Sequence, residues 1–194
     1  MRPLFAGFLA AVALLLAGGC ASVVDEYFLD TDTHANVWVL PGDSAVKKVA
    51  IMPFRAPSEL VGSSVSDMFV TEILKAGRYE LVERSQMAQV LNESELSLAG
   101  LSAAKAVEVG NMLGADGVIV GTVDEYTTLT IKGRTYPSVG ISARLIECAT
   151  GKVIWSADLA ERSEDRDVSL SAYARNVVHQ MVSALYAEWK KANR

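Results

Sequence analysis

"VGISARLIECATGKVIWSADL", residues 139–159, is the stretch on which the fold turns. Val139, Ile141, Ala143 and Leu145 alternate with Gly140, Ser142 and Arg144, the period of a strand with one buried face. "ATGK" at 149–152 reads as a tight turn with Gly151 placed for positive φ. Val153, Trp155, Ala157 and Leu159 then alternate back along a partner strand.

Upstream of this hairpin, "KKVAIMPF" at 47–54 is a nearly continuous apolar run ended by Pro53, as suits a buried strand. Ser58 can cap a helix in which Val61, Val65, Met68, Phe69, Ile73 and Leu74 recur at helical spacing until Gly77 stops it. "YELVER" reads as a strand, "SQMAQVLNE" as a helix capped by Ser85, and "SAAKAVEVGNMLG" as a helix from Ser102 to Gly114. "DGVIVGTVDEY" is a β-branched strand, and a last helix from about Ser169 carries Val177, Val178, Met181, Leu185 and Trp189 along one side. The order is strand, helix, strand, two helices, strand, hairpin, helix. It predicts an α/β (α+β) fold, a mixed β-sheet packed by helices.

The chain opens differently. Arg2, the apolar run Leu4 to Ala17 and the small residues Ala17, Gly18 and Gly19 before Cys20 have the form of a secretory leader with its cleavage site. The run falls short of the about 20 apolar residues that span a bilayer. "LLLAGGCAS" at 14–22 resembles the lipobox of bacterial lipoproteins, with Ala17 where Leu is usual and Leu16 one step before it. That resemblance implies that the leader, 1–19, is removed and that Cys20 is acylated on its thiol and its new amino terminus. Ala21 and Ser22, with no Asp after the cysteine, imply delivery to the outer membrane. Residues 20–46, with isolated aromatics and no long period, read as a lipidated tether containing a short strand at Asn36 to Leu40 before the Pro41-Gly42 turn. The folded domain is expected to occupy 47–194. A wholly flexible tether would reach about 25 to 30 Å.

Without the leader the chain keeps 17 of its 18 Lys and Arg against 23 Asp and Glu, a net charge of −6. Nucleic-acid binding needs clustered cations, and only Lys47-Lys48 and Lys190-Lys191 come close, so that class is excluded. One domain of this length can build a core without disulfides. Cys148 then stands alone, as a small buried residue of a strand.

Signals for catalysis are thin. His34 lies in the expected tether and His179 in the last helix, with no His-rich metal spacing. A Ser-His-acid group could use only His179, and there is no G-x-S-x-G elbow to expose a serine. "GADGVIVG" lacks the lysine of a phosphate loop and precedes a strand where such a loop precedes a helix. Gly114 reads instead as a helix stop, and Gly117 and Gly121 as close-approach positions beside the sheet. The acids of "DEY" at 124–126 read as solvated surface, and Trp155 most simply as core, with an anchor facing the membrane or a neighbouring subunit as the alternative. Trp189 either covers the end of the domain or meets a neighbour. No catalytic, cofactor-binding or metal-binding residue is assigned.

Taken together, "VAIMPF", "EILKAGRYELVERSQMAQVLNE", "LSLAGLSA", "LGADGVIVGTVDEY" and "ISARLIECATGKVIWSA" resemble, in consistent order from Val49 to Ala157, the CsgG family of curli-secretion lipoproteins. The resemblance implies a CsgG-like, anticodon-binding-domain-like periplasmic domain that is not an enzyme, binds no cofactor and forms homo-oligomeric rings at the outer membrane. It also implies a scaffold or adaptor in the export or assembly of an envelope polymer. The alternative is a lipoprotein regulator that binds and activates a cell-wall synthesis enzyme, although the stretch before Lys47 is short for crossing the periplasm.

In the curli channel two hairpins build a transmembrane barrel. Here "DEYTTLTIKGRTYPSVG" offers only Leu129 and Ile131 on one arm and Arg134, Tyr136 and Pro137 on the other. "DLAERSEDRDVSL" carries seven charges, and cations on a lipid face at the bilayer midplane cost about 2 to 4 kcal/mol each. The chain is therefore not expected to form a pore by itself.

Overall fold

The computed structural model describes residues 23–42, 45–83, 85–87 and 102–192. A helix at 23–29, α1, leads into β1 (Asn36–Val39), and β2 (Lys48–Ile51), α2 (Glu59–Ala76) and β3 (Glu80–Leu81) follow. Next come α3 (Ala103–Met112), β4 (Gly117–Ile131), β5 (Arg134–Glu147), β6 (Val153–Arg162) and α4 (Leu170–Ala192). The six strands form one mixed sheet in the order β1-β6-β5-β4-β2-β3. The β4-β2-β3 side is parallel and the β4-β5-β6-β1 side antiparallel.

Most of the predicted punctuation is where the sequence put it. Ser58 Oγ accepts from the Val61 N–H at the start of α2, and Gly77 ends that helix at φ 65°. Ser102 Oγ accepts from the Lys105 N–H, and Gly114 follows α3 at φ 63°. Gly151 turns between β5 and β6 at φ 71°. The expected strand over "YELVER" shortens to Glu80–Leu81, and only 85–87 of the "SQMAQVLNE" helix lie within the described residues.

α2 and α4 pack on one face of the sheet. Val65, Phe69 and Ile73 from α2 and Val177, Met181 and Leu185 from α4 close over Ile119, Ile141, Leu145 and Trp155, all buried. Leu74, placed on this stripe by its spacing, is instead 56% exposed. α3 covers only part of the other face, where Ala106 and Val109 meet Val118, Ile146 and Cys148. It lies close because Gly110 has no side chain: a Cβ there would come within 2.7 Å of Cys148 Sγ. Gly121 is likewise a close approach, since its Cβ would fall 2.4 Å from the Phe54 ring.

The reading of 20–46 as a tether is corrected over its described residues. Phe28 is buried in the main core and stacks on Tyr186 with ring centroids 4.9 Å apart. β1 is hydrogen-bonded to β6, from Asn36 opposite Asp158 to Val39 opposite Trp155. A single strand edge and one buried aromatic leave little periodic signal, but they suffice to dock the segment once β6 and α4 are in place.

Candidate functional site

Three features of the surface bear on function, and Cys20, the one assigned site residue, lies outside the described residues.

The first is the lock that holds the N-terminal segment. Glu72 interrupts the apolar face of α2 and is almost fully buried. Its carboxylate accepts from the Lys75 ammonium at 2.6 Å and from the Tyr27 hydroxyl at 3.2 Å, and lies 2.9 Å from His179 Nδ1. On the other side of the ring, His179 Nε2 is 2.9 Å from the Thr31 hydroxyl, which donates to the Tyr27 carbonyl at 3.2 Å. Asp25 accepts from Tyr186 at 2.7 Å and pairs with Lys190 at 3.0 Å.

Thr31, His179 and Glu72 thus stand in line as a hydroxyl, an imidazole and a carboxylate. The cavity on the sheet face and the groove beside α2 are both lined by other residues. The geometry makes this set a clamp across α1, α2 and α4. Sequence reasoning singled out His179 but not Glu72 or Tyr27. A lone acid three residues after Phe69 within an apolar stripe was the signal for Glu72.

The second feature is the β4-β5 hairpin. It runs past the last β5-β6 pair, Ser138 opposite Arg162, and turns through Lys132 and Gly133, both at positive φ. An extra residue at Asp124 shifts the register and bends the strand. Leu129 faces Tyr136 and Ile131 faces Arg134 across the hairpin, with Leu129 and Ile131 exposed. Arg162 lies over the Tyr136 ring. The other stretch compared with the curli channel, 158–170, forms no hairpin: β6 ends at Arg162 and 163–169 form a loop.

The third is the part of the sheet that α3 leaves uncovered. Strand pairing places Trp38, Ser156, Arg144 and Val120 in one row across β1, β6, β5 and β4, and Asn36, Asp158, Ser142 and Thr122 in the next. Arg55 bridges to Thr122 and extends the second row. A cavity of about 410 Å³ lies over the β4, β5 and β6 members of these rows and Arg55, with Ser102 also in its lining, while Trp38 and Asn36 on β1 stand outside that lining.

The remaining sequence candidates are structural. Trp155 is fully buried, and Trp189 packs edge-on to Tyr79, with the Arg78 guanidinium 5.1 Å from its ring centre. Cys148 is buried and unpaired, and burial, then the charges of Asp116 and Glu147, push its thiol pKa up. His34 is an exposed partner of Glu161 at 2.9 Å. Among the described residues no group of His, Cys, Asp and Glu is arranged to hold a metal, and no helix is long and apolar enough to cross a membrane.

A six-stranded mixed sheet with two long helices on one face and a short one on the other is a fold shared with solved bacterial proteins. Residues 31–174 match the family described as curli production assembly/transport component CsgG, and the chain belongs to that family. It is similar in structure to the PelC dodecamer from Paraburkholderia phytofirmans. The TM-score is 0.57 at 21% identity, covering 78% of this chain and 97% of that one. It is similar also to lipoprotein GNA1162 from Neisseria meningitidis, with a TM-score of 0.54 at 18% identity, covering 75% of this chain and 99% of that one. No curated protein matches the chain in sequence.

Proposed function

We propose that this chain is a periplasmic lipoprotein, anchored in the outer membrane through acyl chains on Cys20. In this proposal its CsgG-family domain assembles side by side into a non-enzymatic ring that serves as scaffold or adaptor in exporting or assembling an envelope polymer. The family match over 31–174 carries the reading. The PelC dodecamer and the lipoprotein GNA1162, both of this fold, support the ring and the anchor respectively.

Two features of the fold refine it. Only two residues, Ala21 and Ser22, separate Cys20 from Val23, where α1 begins, a reach of about 10 Å. The domain is therefore held against its membrane, which argues against a regulator that crosses the periplasm. Beyond the β6 pairing the β4-β5 hairpin has arms of only four or five residues, against about 9 to 11 for a transmembrane strand, so the ring is not a self-sufficient pore.

The test is to express the full chain and its Cys20→Ala variant, then measure membrane fractionation and particle mass in detergent. Wild-type protein should fractionate with the outer membrane as a multiple of the protomer mass, and the variant should leave the membrane. A membrane-bound monomer would retire the ring and return the enzyme-activating alternative. A variant that stays membrane-bound would retire the anchor.

A further inference from the structure

The sheet face that the described residues leave uncovered has no role in the lock or at the hairpin tip, and its chemistry is specific. Trp38 is 49% exposed although its strand neighbours Val37 and Val39 pack against the core. Two strand spacings away, about 10 Å across the sheet, Arg144 stands on the same face. Arg55 lies along the next row. Neither guanidinium has a carboxylate within ion-pair distance among the described residues. Asp158, the one acid lining the cavity, is oriented by the Asn36 amide at 3.1 Å. Ser142 and Ser156 line the same cavity, and the Ser142 hydroxyl donates to Asp124 at 3.4 Å.

We infer that this face binds an acidic saccharide segment, the Trp38 ring stacking on the apolar C–H face of one sugar and Arg144 and Arg55 pairing with carboxylates of its neighbours. An aromatic ring exposed beside polar groups offers one apolar surface without an apolar pocket. Guanidinium groups present a planar fork of donors that matches a carboxylate. Asp158 and the serine hydroxyls supply the acceptors and donors that sugar hydroxyls require. The interior of an obligate subunit interface is apolar and depleted in charge, which this face is not. The lining holds Arg55 and Arg144 against Asp158, and a second acid, Asp124, accepts from Ser142 at its margin, so the two guanidinium forks rather than the net charge select an acidic chain over a neutral one. The inference deepens the polymer-handling part of the proposed function by naming the chemistry handled, and rests on that reading only for its biological setting.

The full chain in detergent should be titrated calorimetrically with tetragalacturonate, with cellotetraose and inorganic phosphate as controls, alongside the particle mass. Saturable binding of tetragalacturonate, with quenching of Trp38 fluorescence, is expected. Arg144→Gln and Trp38→Ala should each weaken it about tenfold or more, as loss of a charge-assisted contact would, with the particle mass unchanged. Equal binding of cellotetraose or phosphate would overturn the inference. So would absent binding, or a fall in particle mass in either variant, which would assign the face to a second copy of the chain. Intact rings without saccharide binding sink this inference alone. Saccharide binding by a monomer sinks the ring and leaves the inference standing.

Discussion

His179 Nδ1 on α4 lies 2.9 Å from Glu72 Oε2 on α2, and through this pair the last helix holds the earlier one. The Glu72 carboxylate also serves Lys75 and Tyr27, so removing it strands three polar groups at once. Glu72→Ala is expected to cost about 3 kcal/mol, as breaking a buried ion pair does. It should also release residues 23–40, seen as faster proteolytic cleavage ahead of β2. His179→Ala should cost less, and the double variant less than the two together, because the residues share one network. Additive losses in urea unfolding would contradict the network.

Gly121 tests how tightly the segment after β2 is packed. A Cβ would fall 2.4 Å from the Phe54 ring, which is fully buried. Gly121→Ala should destabilise the domain by about 1 to 3 kcal/mol. Adding Phe54→Leu should return part of the loss, whereas a steric clash elsewhere would not respond to it.

Asp116 ties the starts of β2 and β4 together. Its carboxylate accepts from the backbone N–H groups of Lys48 at 2.8 Å and Lys47 at 3.0 Å, which hold its pKa below the ordinary value. The unfolded chain therefore binds this proton more readily than the folded one. Its stabilisation is complete above the unfolded value of about 3.9 and is lost as pH falls through the lower folded value. Asp116→Ala should lower the urea midpoint at pH 7 and flatten its fall toward pH 3. An unchanged acid slope would exclude the contribution.

Tyr186 makes the opposite prediction at high pH. Burial first, then its hydrogen bond to Asp25, push its phenol up to about 12. Folding favours the protonated phenol, so this stabilisation is whole below the unfolded value of about 10 and is lost as pH rises from there to 12. Tyr186→Phe should lower stability at neutral pH and remove part of the alkaline decline, which thermal unfolding from pH 8 to pH 11 would record.

Cys148 should react slowly. It is buried beneath α3 and its thiol pKa is raised, so little thiolate is present or reachable at pH 8. Alkylation by iodoacetamide should proceed at the rate of opening and accelerate sharply in urea. Rapid labelling of the native protein would mean that α3 lifts readily from the sheet.

Much of the fold was legible because the chain states it locally. The alternation in 139–159, the Ser58 and Ser102 caps and the glycines at 77, 114 and 151 each act within a few residues, and each is found in place. In the N-terminal segment the short strand at 36–40 was legible and is found as β1, but the docking of the segment was not, because its order comes from elsewhere. Phe28 needs Tyr186 to stack on, and β1 needs β6 beside it, partners that lie in the last third of the chain.

The sheet face left open by the described residues was equally hidden. Arg55, Arg144 and Trp38 sit on three separate segments, and nothing in their spacing announces a common surface. Leu74 shows the converse, a residue with helical spacing that falls past the contact line of α2 and stays in solvent.

Sequence alone determined the element types, their caps and the family, since backbone preference and hydrophobic period act over one or two turns and need no partner. Tertiary structure alone decided that residues 23–40 belong to the domain, that Glu72 and His179 clamp them there, and that two arginines share a sheet face with an exposed tryptophan. These depend on strand order and helix docking, where contacts between distant residues outweigh the local preferences that a sequence displays.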